Sequence, residues 1–191
     1  MSTEKSKSSE QISGDVVRKE GFVEGLSSGG VFTVTCYDKD GHEKWVDIAP
    51  NLVVNTGLQA MNTQFFTGSA YTAAWYIGLV NGTSASTTFS GGDTLATHAG
   101  WTENSGYSGS RKAASFGTAT LNDPSNINNS SSAASFTMTA NATIAGAFLT
   151  NVASGTTGLL FSAADFQSPG DRTVVSGDVL NITYSFNLDA V

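Results

Sequence analysis

Charge, cysteine, proline and long apolar runs are all scarce in this chain. Only 13% of its 191 residues are charged, against roughly 25% in an average soluble domain. Sixteen acidic residues outnumber nine basic ones, for a formal charge of -7. That balance leaves no basic face for a phosphate backbone, so nucleic acid is not an expected partner. The low charge also argues against a freely soluble cytosolic enzyme. A single cysteine, Cys36, excludes an intramolecular disulfide. It stands in an alternating apolar stretch and reads as a small buried hydrophobe. No run approaches the roughly 20 apolar residues of a membrane-spanning helix, so no membrane contact is expected. The opening MSTEKSKSSEQ lacks the apolar centre of a secretory signal, which predicts synthesis and folding in a cytoplasm. P-loop, dinucleotide, zinc and nucleophile-elbow patterns are all missing. The expectation is a non-enzymatic protein with no cofactor and no metal.

What remains is rich in Ser, Thr, Asn, Ala and Gly, residues suited to flat hydrogen-bonding contact. The chain is organised around Asn51–Val80, where a helical apolar pattern runs into a strand pattern. Leu58, Met61 and Phe65 recur at spacings of three and four and predict one apolar helix face over 51–66. Asn51 is the predicted cap and Gly68 the stop. In the following strand, Trp75, Ile77 and Leu79 fall on one face, Tyr76 and Gly78 on the other.

Upstream, residues 1–30 form a polar arm and a glycine-containing transition, with too little apolar surface in 1–15 to offset ordering. Val31–Tyr37 and His42–Ile48 alternate around the turn Asp38-Lys39-Asp40-Gly41 and predict a hairpin. Downstream, Asn81–Gly109 is a long polar loop, either a surface excursion or an interaction loop. A short helical turn at Thr94–His98, capped by Asp93, is predicted inside it. Lys112–Thr120, Ala133–Thr139, Ala142–Thr150, Thr156–Phe161 and Val179–Leu188 read as strands, with Leu121–Ser132 and Phe166–Arg172 as turns. About nine strands and one helix result. They predict a mainly β, antiparallel β-sandwich, jelly-roll or immunoglobulin-like, spanning 31–191 as one domain with the helix at 51–66 and the long loop at 81–109.

Five residues are candidates for an interface: Phe89, Trp101 and Tyr107, isolated aromatics of the loop, and Arg111-Lys112, a basic pair. Aromatics of this kind anchor protein contacts. The alternative is that they pin the loop to its own domain, and that the pair is solvated. His98, Asp93 and Glu103 could hold a divalent ion. Ordinary polar surface is the preferred reading, so no metal site is assigned.

The stretches NLVVNTGL (51–58), YTAAWYIGL (71–79) and GDTLATHAGWTE (92–103) resemble a family of tailed-bacteriophage virion structural proteins, as do ATIAGAFLT (142–150), GTTGLLF (155–161), 129–136 and 175–183. The likeness covers roughly residue 35 to the C-terminus, and the arm is not part of it. It implies a head decoration, or capsid cement, protein on the outer surface of the capsid. Such a protein would be made in the bacterial host cytoplasm and would bridge subunits of the major capsid protein. Self-association as a dimer or trimer is compatible with shell symmetry. The alternative is a tail, baseplate or tail-tip component with host-surface binding.

Overall fold

The computed structural model describes residues 16–17, 23–68, 74–82, 87–167 and 170–190. The arm at 1–15, the start of the predicted strand at 71–73, part of the long loop and Pro169 lie outside the described residues. In chain order the elements are β1 (Val16–Val17), β2 (Val23–Glu24), β3 (Leu26–Tyr37), β4 (Glu43–Pro50), β5 (Leu52–Val53), α1 (Asn55–Thr67) and β6 (Tyr76–Asn81). There follow β7 (Glu103–Asn104), β8 (Lys112–Ala113), β9 (Ser125–Asn128), β10 (Ala134–Thr137), β11 (Ala142–Thr150), β12 (Leu160–Asp165), β13 (Arg172–Val174) and β14 (Val179–Ala190).

Every described strand pairing is antiparallel. A five-stranded sheet runs β10-β14-β3-β4, with β9 also on β14. A seven-stranded sheet runs β5-β12-β11-β6-β7, with β13 on β11 and β8 on β6. The two share one apolar core, which makes the arrangement sandwich-like. Alternation dictates it. Phe32, Val34 and Cys36 of β3 stand opposite Tyr184, Ile182 and Leu180 of β14 in register, and all six are buried. Against them pack Ile77 and Leu79 of β6 and Ala147 and Leu149 of β11.

The seven-stranded sheet is buried on its other face too. Val80, Ala145, Phe148, Leu160 and Ala163 form a second cluster with Val54, Leu95 and Trp101. The long polar loop is therefore a third layer, lying over the outer face of that sheet. Accordingly β6, β11 and β12 are buried along most of their length rather than at every second residue. Across the β6–β11 pair, Gly78 stands opposite Phe148. The Phe148 ring occupies the space that a Cβ at 78 would need.

Several sequence expectations are corrected. The helix starts at 55 rather than 51. Val54 is its N-cap, with no side-chain cap bond. Asn51 instead bonds to the five-stranded sheet, donating its backbone N–H to Gly30 O at 2.9 Å and its amide to the Tyr184 hydroxyl at 2.7 Å. No helical turn forms at 94–98. Thr94 and Thr97 exchange backbone hydrogen bonds in a bend. Leu121–Ser132 is not all turn, since β9 lies within it. The predicted strand at 112–120 pairs only at 112–113. The strand predicted at 156–161 is displaced to 160–165.

Candidate contact surfaces

The loop aromatics are held by their own domain. Trp101 is only 5% exposed. Its ring lies 5.2 Å from Phe148 and 3.8 Å from a nearly parallel His98. Its indole N–H donates to Asp93 Oδ2 at 3.0 Å, and the same oxygen accepts from Ser90 N. Asp93 thus fastens the loop, and His98 is a stacking partner. Phe89 is half-buried at 5.8 Å from Trp101. Tyr107 is buried edge-on against Phe136 at 4.8 Å, and burial with the Glu103 charge pushes its hydroxyl up to about 12.

Arg111 is 6% exposed and makes a two-pronged ion pair with Glu103, at 2.8 and 2.7 Å. Its guanidinium lies 5.1 Å from the centre of the Phe148 ring and donates to Val152 O. Lys112 reaches the Ser108 carbonyl and lies over Tyr107. The structure thus unites all but Lys112 and Tyr107 of the five candidates around Phe148. It unites them as a latch between loop and sheet, with Trp101, Tyr107 and Arg111 turned inward.

The buried carboxylates are similarly engaged. Asp47 accepts from Arg172 Nη2 at 2.6 Å and from Gln167 N at 3.1 Å. Asp178 accepts from Lys44 Nζ and from Val175 N. Burial and the neighbouring Asp171 charge hold the Asp165 carboxyl above the usual range. Among the described residues no three His, Cys, Asp or Glu side chains gather closely enough to hold a metal ion.

Among the described residues, the most exposed aromatic side chains lie elsewhere, on α1. Its first turn is fixed tightly. Gly57 is buried, and its backbone lies against the Phe161 carbonyl with no room for a Cβ. Thr56 Oγ1 donates to Leu160 O at 2.7 Å, and Asn55 N donates to Gly91 O at 2.8 Å. This close approach turns the helix so that Val54, Gly57, Met61 and Gln64 lie toward the domain. The predicted shared face of Leu58, Met61 and Phe65 is therefore split. Met61 is partly buried, whereas Phe65 is 83% exposed and Phe66, beside it, 77%. The two rings meet edge-to-face at 5.0 Å.

Next to them Leu26, at the start of β3, is 71% exposed. Leu26, Leu188, Met61, Asn62, Gln64 and the two phenylalanines line an open hollow of about 1010 Å³. None of these seven residues is charged, nor is any residue of α1. A second apolar hollow, of about 490 Å³, lies on the other side of Met61 and reaches Trp75, Phe116 and Tyr184. Sequence reasoning put Leu58, Met61 and Phe65 on one helix face, and helical spacing reveals a shared face, not the direction in which it points.

Known proteins offer no further guide: no family model, no curated protein and no solved structure matches the chain.

Proposed function

We propose that this chain is a non-enzymatic structural protein of a bacteriophage virion, a head decoration protein that grips neighbouring protein through exposed, uncharged surface. The observation that carries the contact reading is the apolar patch of Leu26, Phe65 and Phe66. Monomeric soluble proteins rarely leave contiguous apolar surface of this kind in water, and where they do it marks an interaction site. The virion reading rests on the resemblance in the sequence. Its shared residues are ones that build the central sheet and its lid: Tyr76–Leu79 lie in β6, Ala142–Thr150 form β11, and 92–103 carries the Asp93–Trp101 fastening. A jelly-roll or immunoglobulin-like sandwich is the finer fold we assign on the same basis.

Mechanistically, a rigid block repeated over a symmetric shell converts weak individual contacts into firm attachment, because each further contact forms at high effective concentration. The partner under this reading is the major capsid protein, and the outer shell is the location. Imaging purified particles of the encoding phage tests it. Density for the chain on the icosahedral shell is expected. Density confined to the tail would transfer the protein to a tail or baseplate role, and its absence from particles would end the virion reading.

A further inference from the structure

We propose that the slot between α1 and the Trp75–Phe161 wall binds a small neutral aromatic molecule carrying one hydrogen-bond donor, of the indole or phenol class. The site stands apart from the virion reading and shares no residue with the patch of Leu26, Phe65 and Phe66. It is a hollow of about 600 Å³, to which α1 contributes Met61 and Gln64 and the sheet side contributes Trp75, Asn151, Leu159 and Phe161. That volume is in the range of small-molecule pockets. The tight seat of Gly57 on the Phe161 carbonyl sets the helix, and so one side of the slot, against the wall.

Gln64 calls for the donor. Its Oε1 is shielded from solvent and accepts no hydrogen bond among the described residues. A buried acceptor in that state is costly, and native proteins satisfy nearly all of them. The other amide oxygen at the slot, Asn151 Oδ1, is already taken by the Leu159 N–H at 2.7 Å. A ligand N–H or O–H therefore has one side-chain oxygen waiting for it. The wall calls for a ring. Trp75 and Phe161 meet edge-to-face with centroids 5.4 Å apart, and Phe161 meets Phe186 in the same way at 5.4 Å. A further ring extends this arrangement at a favourable separation, and Met61, unbranched and adaptable, can shift to fit it. Neutrality follows from the lining, which holds no charged residue. An ion would lose its hydration here and gain no partner, and an anion would also meet a chain of formal charge -7.

Titration of the ¹⁵N-labelled full chain with indole, followed by NMR, tests this. Saturable shifts are expected at the side-chain N–H of Trp75 and at the backbone amides of Met61, Gln64, Leu159 and Phe161, with a Kd of about 1 mM or below. Benzofuran, of the same shape without the donor, should bind about tenfold more weakly. Indole-3-acetate, an anion, should not bind measurably. Gln64→Leu should abolish the preference for indole over benzofuran while leaving the benzofuran affinity within about twofold. Ala60→Phe, on the same helix and lining the same slot, should fill it and weaken indole about tenfold or more. Gln64→Leu changes one half-buried side chain and decides the matter if Ala60→Phe does not fold. Absence of saturable shifts up to the solubility of indole overturns the inference. So do shifts confined to other residues, equal affinity for benzofuran, or a preference that survives Gln64→Leu. Tighter binding of 1-octanol than of indole would make the slot an alkyl site and overturn it likewise.

Discussion

Single side chains show how burial reassigns a residue that sequence marks as available. Arg111 and Lys112 are adjacent and chemically alike, yet the structure separates them. Arg111 is enclosed by Glu103, Phe148 and the Val152 carbonyl, while Lys112 lies on the surface. Arg111→Ala should therefore cost about 3 kcal/mol, because it leaves Glu103 without its partner at the edge of the core. Lys112→Ala should stay within about 0.5 kcal/mol. Urea titrations of the two variants check the contrast. Cys36 offers a second test. Burial and the Asp178 charge push its thiol from 9.0 up to about 11. The folded chain should react with iodoacetamide at pH 8 far more slowly than the urea-unfolded chain, since the thiolate is the nucleophile. The linkage has a definite sign. Between pH 9 and 11 the unfolded thiol has lost its proton and the folded one keeps it, so stability falls as pH rises through that window. Cys36→Ala should flatten that part of the stability profile, and a parent and variant of equal slope would contradict the assignment.

Among the elements, those with one buried face were legible in the sequence and those with special circumstances were not. β3, β4 and β14 alternate because one face meets the core, and the pattern locates them, although β3 begins at Leu26, five residues inside the stretch read as arm and transition. β11 was read as one more alternating strand, which located it correctly but missed that it is closed in on both faces. β9 escaped notice because three of its four residues, Ser125, Asn126 and Asn128, are turn formers around the lone apolar Ile127. It pairs only with the far end of β14, where Asn126 bonds to Ser185 and Asn187. The helix was placed near its true position, but the face it turns inward is set by Gly57, which the apolar spacing did not single out. A glycine is a poor helix former, costing about 1 kcal/mol relative to alanine. Here it permits contact with the Phe161 carbonyl that no other residue allows. Gly57→Ala consequently sets propensity against packing. Packing should win, with a net loss of about 1–3 kcal/mol. Alanine at the exposed Gln59, on the same helix, should be neutral or slightly stabilising. A stabilised Gly57→Ala variant would show that the helix docks less closely than described.

At the scale of the molecule, the decisive feature is that the seven-stranded sheet is the middle layer of three. β11 sends Leu149 into the shared core and Phe148 to the lid, so one strand serves both apolar clusters. Lifting the loop would expose Phe148, Val80, Leu160 and Ala163 together, at a cost of roughly 25 cal/mol for each Å² of apolar area uncovered. The loop is thus expected to unfold with the sheets rather than before them. The three tryptophans are placed to report this. Trp101 sits in the lid against Phe148, Trp45 lies on β4 at 5.9 Å from Phe166, and Trp75 meets Phe161 at 5.4 Å beside α1. In variants that each retain one tryptophan, with phenylalanine at the other two positions, the fluorescence transition should coincide with loss of far-UV circular dichroism in the same variant. An early Trp101 transition would make the loop a separable flap. Such a flap could expose its aromatics to a partner, and the role first suggested for Phe89, Trp101 and Tyr107 would return. Coincident transitions would keep those aromatics closed in the folded chain and leave the α1 surface, whose phenylalanines are exposed without any unfolding, as the contact proposed above.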